Sequence, residues 1–207
     1  MISNVPPIYF VRHGETDWNR SSRIQGQIDI PLNETGHLQS ASVARMLKRH
    51  VGATTIERFV VSPLARARQT MGYVSREFDH SDAEVEVAPA VSELTFGVWE
   101  GRYLHELTAD PGYPTDLLSH FHWRPEDGES YEDGLARVER WLHRIEGPMV
   151  IVAHGAIGRC VIGHVCGLGP EDLLRVRTPQ GCFCRIQDGQ LEWFEADGAF
   201  DGRSDAP

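Results

Sequence analysis

The stretch Pro7-Ile-Tyr-Phe-Val-Arg-His-Gly14 decides the fold, because an apolar run leads directly into an arginine and a histidine. A short apolar run bounded by proline and glycine indicates a buried strand, here over residues 8–12. Outward from it, further apolar runs alternate with stretches of helical spacing. This alternation predicts an α/β fold, a three-layer sandwich with a mostly parallel central sheet flanked by helices.

Local signals place the other elements along the chain. Serine is a good N-cap and proline suits the first helical turn, so Ser62-Pro63 predicts the start of a helix. Ser130, followed by Asp133, predicts the start of another helix, and Asp188-Gly189 predicts a two-residue hairpin turn. The predicted strands cover 8–12, 58–62, 84–91, 148–153, 181–187 and 190–195, and the predicted helices cover 35–50, 62–78, 130–145 and 156–167.

The remaining long segment, 94–128, is irregular and holds several proline and glycine residues. We interpret it as a lid-like insertion. The chain has 207 residues, which suits one domain. We therefore predict a single domain over 1–197, followed by a polar, glycine-rich tail over 198–207 that we expect to be disordered.

Charge and hydropathy restrict the classes of partner. The formal net charge of −10 argues against nucleic acid and against an anionic membrane surface. No apolar run approaches the ~20 residues that span a bilayer, and the first residues do not resemble a signal peptide. We expect a cytoplasmic protein, in which any phosphate site must be a local concentration of positive charge.

The ends of the predicted strands carry the candidate site. In open α/β sheets, ligands bind beyond the carboxyl ends of the strands. Arg12 and His13 end the first strand, Arg66 lies one turn into the helix after the second, Glu93 follows the third and His154 follows the fourth. These five side chains should therefore meet at one edge of the sheet.

This set of side chains suits phosphoryl transfer, which needs charge neutralisation, a positioned nucleophile and a proton for the leaving oxygen. Arg12 and Arg66 can bind phosphoryl oxygens in bidentate fashion. His13 can attack phosphorus to form a phosphohistidine, and His154 can donate a hydrogen bond to the transferring group. Glu93 can protonate the departing alkoxide and later activate water.

The sequence resembles the histidine phosphatase superfamily, which includes the cofactor-dependent phosphoglycerate mutases. The resemblance covers roughly residues 8–195, and four motifs occur in the family's order. It implies a phosphoglycerate mutase-like fold, phosphohistidine chemistry at His13, and contacts from Asn19, Gln25 and Gly26 to the phosphate or substrate. It implies no metal and no organic cofactor. The motifs are Arg12-His-Gly-Glu-Thr-x-Trp-Asn19, Ser62-Pro-Leu-x-Arg-Ala-x-Gln-Thr70, Glu93-Leu-x-x-Gly-x-Trp-Glu-Gly101 and Ala153-His-Gly155.

Two activities stay open within this resemblance. Phosphoglycerate mutases typically follow the glutamate with Arg-His-Tyr-Gly and a lysine-containing stretch, and use a downstream arginine pair to hold the substrate carboxylate. Here the segment 93–102 has no lysine, and no Arg-Arg pair occurs in the chain. We therefore favour the phosphatase branch, with a small phosphorylated metabolite as substrate. Mutase activity and a catalytically silent phosphate-binding module are the alternatives, and a homodimer stays open.

Several other side chains have less specific patterns. Arg68, two residues from Arg66, points in another direction on a helix, so we expect it to face solvent or a neighbouring carboxylate. We also expect Arg23 and Arg102 to be solvent-exposed. The pair His120-x-His122 lacks a third ligand at clear spacing, so with Trp123 it is interpreted as a roof over the pocket that helps to select the leaving group.

Overall fold

The computed structural model describes residues 6–52, 55–143 and 146–195. The predicted tail over 198–207 lies outside these residues. The described strands are β1 (Ile8–Arg12), β2 (Arg58–Val61), β3 (Glu86–Val87), β4 (Met149–Ala153), β5 (Cys182–Gln187) and β6 (Gln190–Glu195). The described helices are α1 (Asp17–Arg20), α2 (Glu34–Val51), α3 (Ala65–Glu77), α4 (Leu104–Thr108), α5 (Leu117–His122), α6 (Tyr131–Leu142), α7 (Gly155–Cys166) and α8 (Pro170–Arg175).

The strands form a six-stranded sheet in the order β3-β2-β4-β1-β5-β6. The first four run parallel, and β5 is antiparallel to both β1 and β6. The predicted hairpin is confirmed: Asp188 and Gly189 both have positive φ, as a primed turn requires. Because four of the six strands run parallel, the mostly parallel sheet of the predicted α/β sandwich is confirmed as well.

Both faces of β1 are buried, which explains why its sequence is a continuous apolar run. Ile8 and Phe10 pack in a core with residues of α6, α7 and α8. Tyr9 and Val11 point to the opposite face and pack against residues of α2 and α3. The two cores lie on either side of one sheet and make the three layers.

The start of α3 differs from the prediction. The helix begins at Ala65 with Leu64 at the N-cap, rather than at Ser62-Pro63. The Ser62 hydroxyl lies 2.6 Å from His154 Nε2 and also accepts a hydrogen bond from Leu64 N–H. Ser62 therefore contacts the second histidine of the predicted site instead of capping the helix.

The third strand is much shorter than the predicted 84–91. Pairing is limited to Glu86–Val87, because 3-10 turns over Asp82–Glu84 and Pro89–Val91 flank it. Proline has no backbone N–H to donate to a neighbouring strand. The chain thus leaves the sheet before it reaches Glu93.

The segment 94–128 packs over the carboxyl edge of the sheet and shares a small core with the loop around Ile24. Ile24, Trp99 and Leu107 are buried together there. Gly97 has a φ of 53°, and a Cβ at this position would lie 1.9 Å from the carbonyl oxygen of Glu126. The turn that starts this segment therefore requires glycine.

Candidate active site

A cavity of about 280 Å³ opens at the carboxyl edge of the sheet, beneath the segment 94–128. It contains the predicted site except for one side chain, His154. The cavity is lined by Arg12, His13, Asn19, Ser22, Arg23, Ile24, Gln25, Gly26, Arg66, Glu93, Phe96, Leu104, Leu107, Tyr113, His120 and Tyr131.

His13 is held in one orientation and one tautomer. Its backbone N–H donates to the Ala153 carbonyl of the neighbouring strand at 3.0 Å. Its Nδ1 lies 2.7 Å from the Gly14 carbonyl oxygen. Because a carbonyl only accepts, Nδ1 must carry the proton. The lone pair therefore resides on Nε2, the nitrogen that a phosphorus electrophile needs.

The charge state of His13 also suits a nucleophile. Burial, together with the guanidinium groups of Arg66 and Arg12, lowers the pKa of His13 well below its ordinary value of 6.5. The imidazole is therefore neutral at physiological pH, and no base has to remove a proton before attack.

Arg66 is almost wholly buried and is anchored by three of its nitrogens. Nε donates to His154 Nδ1 at 3.2 Å, and the terminal nitrogens donate to the carbonyls of Ile28 and Gly26 at 2.9 and 2.7 Å. Burial lowers the pKa of Arg66 to about 10, which leaves it charged at neutral pH. A guanidinium group has five N–H donors. Three of those of Arg66 are used within the protein, so two can bind an anion.

His154 has a position that differs from its predicted contact with the transferring group. The ring is fully buried and packs edge-on to His13, with centroids 5.0 Å apart. Its Nδ1 accepts from Arg66, so Nε2 carries the proton and donates to Ser62 at 2.6 Å. Both ring nitrogens are engaged within the protein, so His154 orients Arg66 in this arrangement.

Glu93 caps the N-terminus of α7. The N-cap residue of this helix, His154, provides no side-chain hydrogen bond. The Glu93 carboxylate instead accepts from the backbone N–H groups of Ala156 at 3.1 Å and Ile157 at 2.9 Å, and from its neighbour Leu94 at 3.0 Å. These contacts fix the carboxylate at the wall of the cavity.

Two amide side chains at the opposite wall are oriented by a buried threonine that sequence reasoning missed. The Thr16 hydroxyl donates to Gln25 Oε1 at 2.9 Å, and its backbone N–H donates to Asn19 Oδ1 at 3.2 Å. Gln180 Nε2 also donates to Asn19 Oδ1, at 3.0 Å. Because their oxygens accept these bonds, Asn19 and Gln25 can offer their NH₂ groups to an anion.

Two further positioning residues had no role assigned from the sequence, although Glu100 lies within the third motif. One oxygen of Glu100 accepts from Gln27 N–H, the Thr95 hydroxyl and Phe96 N–H, and so joins the two loops that border the cavity. Arg137 donates to three carbonyls of residues 89–92, directly before the glutamate. Both act on Glu93 or Gln25 only through the backbone.

At the outer wall of the cavity, the positions of Arg23 and of the predicted roof differ from expectation, whereas those of two other arginines agree with it. Arg23 was expected to face solvent, but it is half-buried and lines the cavity. Arg68 and Arg102 are exposed as predicted. Of the predicted roof, only His120 lines the cavity, with Nε2 3.3 Å from the Tyr113 hydroxyl; the His122 side chain is exposed and pairs with Glu132 on the surface.

The two buried histidines predict a loss of stability in acid. Burial and Arg66 lower the pKa of both His13 and His154 well below 6.5, while in the unfolded chain both titrate near that value. Below pH 6.5 the unfolded state therefore binds more protons. We expect the free energy of unfolding to fall by roughly 1.4 kcal/mol per pH unit for each histidine.

Urea unfolding at pH 6.5 and 5.0 in phosphate-free buffer measures this loss. His154→Gln, whose amide oxygen can accept from Arg66, should remove about half of the pH dependence. His105→Gln, at an exposed position, should leave it intact. Equal pH dependence in the wild type and in His154→Gln would contradict the assignment of a neutral buried His154.

Within residues 6–52, 55–143 and 146–195, no three His, Cys, Asp or Glu side chains come together in the manner of a metal site. No helix of the same ranges combines the length and apolar character needed to cross a bilayer.

An α/β sandwich with this six-stranded, mostly parallel sheet is the architecture of phosphoglycerate mutase-like proteins. Residues 8–197 match the model of the histidine phosphatase superfamily (branch 1). The chain belongs to this superfamily. The resemblance based on four motifs is therefore confirmed.

The similar proteins have two kinds of activity. The chain is 33% identical over 193 residues to a probable phosphoglycerate mutase of Enterobacter sp., covering 90% of this chain and 86% of the relative. It is 29% identical over 191 residues to the adenosylcobalamin/alpha-ribazole phosphatase of Salmonella typhimurium, covering 86% and 89%. The mycobacterial glucosyl-3-phosphoglycerate phosphatase superposes with a TM-score of 0.78 at 25% identity, covering 92% and 96%.

Proposed function

We propose that this chain is a metal-independent phosphatase that hydrolyses a small phosphomonoester metabolite through a phosphohistidine at His13. The observation that carries the proposal is the neutral His13, with its proton fixed on Nδ1 by Gly14 and two guanidinium groups beside it. A nucleophilic lone pair next to two cations suits attack on a phosphoryl group.

The first step transfers the phosphoryl group to the enzyme. His13 Nε2 forms a bond to phosphorus, and the bond between phosphorus and the leaving oxygen breaks. The Glu93 carboxyl gives its proton to that oxygen, so that an alcohol departs. Arg12 and the two remaining N–H groups of Arg66 neutralise the equatorial oxygens, while Asn19, Gln25 and the main chain of Gly26 complete the cradle.

The second step returns the enzyme to its starting state. Glu93, now a carboxylate, takes a proton from water as the water oxygen attacks phosphorus. The bond between phosphorus and Nε2 breaks, and inorganic phosphate leaves a neutral imidazole behind. His154 acts in both steps as a positioning residue, because its Nδ1 orients Arg66.

The chemistry of the cavity favours the phosphatase over the mutase. Lys48 is the only lysine in the chain, and it stacks on Phe78, which does not line the cavity. The lysine expected of a phosphoglycerate mutase is therefore missing from this site. Similarity to a probable phosphoglycerate mutase keeps mutase activity as the second candidate.

A panel of phosphomonoesters tests the proposal in the presence of a chelator. We expect the wild-type protein to release inorganic phosphate from at least one small ester without added metal, and quenching in alkaline detergent, in which phosphohistidine is stable, to trap phosphate on histidine. In a parallel reaction with 3-phosphoglycerate, a bisphosphate primer should not divert the product to an isomer. Primer-dependent isomerisation would favour the mutase, and neither phosphoenzyme nor phosphate across the panel would favour a silent binding module.

A further inference from the structure

Arg23 is a cation at the cavity wall that the proposed chemistry does not use. Its guanidinium carbon lies 5.3 Å from the centroid of the Trp18 ring and 5.1 Å from that of Tyr103. Its Nε is buried and makes no hydrogen bond within the described residues. The side chain therefore lies against two aromatic rings with one donor unsatisfied.

The backbone keeps Arg23 in this place. Its N–H donates to the Trp18 carbonyl at 2.8 Å, and residues 23 and 103 form an antiparallel bridge. Hydrogen bonds from Ile24 to Arg102 and from Leu104 to Ser22 continue this pairing. The guanidinium is thus presented from a rigid rim, and binding an anion there would order little additional structure.

An arginine Nε without a hydrogen-bond partner among the described residues is unexpected in this protein, which has 30 acidic and 20 basic residues. Its neighbour Arg102 stacks on Trp99 in a similar way, but also approaches Glu106 within 3.7 Å. Buried N–H groups in native proteins normally have a partner. The unsatisfied Nε of Arg23 therefore points to a partner that the described residues do not provide.

The residues that line the cavity favour the leaving group as that partner. Three guanidinium groups and one carboxylate are among the described residues that line the cavity. Arg12 and Arg66 flank His13 and are assigned to the phosphoryl oxygens, which leaves Arg23 as the third cation. Other residues that line the cavity, Phe96, Leu104, Leu107 and Tyr113, are largely apolar. They carry no positive charge that could compete with Arg23 for an anion.

We propose that Arg23 is a specificity-determining residue that binds a second anionic group, a carboxylate or a further phosphate, on the leaving group of the phosphomonoester. The inference rests on the proposed phosphatase function of the same cavity. A carboxylate or phosphate that binds side-on to a guanidinium takes Nε–H together with one terminal N–H. Such a contact satisfies the donor that is otherwise without a partner.

Pairs of esters that differ in one anionic group test this inference. 3-Phosphoglycerate is compared with glycerol 3-phosphate for the carboxylate, and propane-1,3-diol bisphosphate with 3-hydroxypropyl phosphate for the phosphate. We expect the wild-type kcat/KM to be at least tenfold higher for the member of one pair that carries the second anionic group. The pair that shows the preference identifies which of the two anions Arg23 binds.

Arg23→Gln should reduce that preference at least tenfold. It should change kcat/KM for the ester without the second anionic group less than threefold. The ratio within a pair is measured on one protein sample, so a partly unfolded variant does not alter it. Arg102→Gln, a matched change on the same rim, should keep the wild-type ratio. Arg23→Lys, which retains the charge but not the side-on donor pair, should fall between the wild type and Arg23→Gln.

Two outcomes would overturn the inference in different ways. Equal turnover of both members of each pair by the wild type, or an unchanged ratio in Arg23→Gln, would contradict the role of Arg23 and leave the phosphatase standing. A wild-type protein that releases no phosphate from any ester would contradict the phosphatase function, and this inference with it.

Discussion

Replacing His13 with alanine is expected to lower the release of phosphate from the best substrate by roughly 10⁴-fold or more, as loss of a covalent nucleophile does in other enzymes. No described neighbour can take its place. His154, the other histidine nearby, is fully buried with both nitrogens engaged. The initial rate and the trapped phosphohistidine should disappear together.

A second variant separates loss of chemistry from loss of fold. In His13→Asn, the side-chain amide can still donate to the Gly14 carbonyl, as Nδ1 does at 2.7 Å, but it offers no nucleophilic lone pair. We expect it to be as inactive as His13→Ala, and inorganic phosphate should still raise its midpoint of thermal unfolding. Undiminished turnover by either variant would falsify the central proposal.

Glu93→Gln is expected to have the second largest effect, about 10²- to 10⁴-fold on alkyl phosphates. A glutamine cannot give a proton to a departing alkoxide. It should matter less for the first step with p-nitrophenyl phosphate, whose leaving group needs no proton. Because the same residue activates water, the second step should then become slow, and a burst of about one p-nitrophenolate per active site should precede a reduced steady rate.

The stability of the Glu93 variant has to be measured alongside. Glutamine has one carbonyl oxygen where the carboxylate uses two to accept from Leu94, Ala156 and Ile157. Loss of one cap contact should cost about 1 kcal/mol in the free energy of unfolding. A uniform fall in rate for alkyl and p-nitrophenyl phosphates, without a burst, would indicate that the variant disturbs the cavity rather than removes a proton donor.

Much of the fold follows from patterns within single segments. The apolar run of β1 and the capping box of Ser130 and Asp133 are local signals, and the structure has both elements. The rule for strand ends brought Arg12, His13, Arg66 and Glu93 to one cavity. Neither α1 nor α8 was predicted, because helices of four and six residues are too short to show helical periodicity.

The remaining features depend on contacts between distant segments. Whether His154 faces the substrate or Arg66 depends on Ser62, which lies 92 residues earlier and accepts from its ring. Neither Arg23 nor Arg102 has a pattern that distinguishes it, yet of the two only Arg23 lines the cavity, on a rim where residues 22–24 pair with 101–104. Such pairings leave no periodic pattern in either segment.

Two roles of Glu93, its cap on α7 and the proton transfer proposed above, bear on how such proteins change over generations. Its carboxylate holds the first turn of α7 whether or not any proton is ever transferred. Selection for folding alone would therefore retain this glutamate in a descendant that had stopped turning over substrate. The presence of this glutamate is thus a poor indicator that a homologue is still catalytically active. Substitution of His13 would be the clearer sign that the activity had been lost.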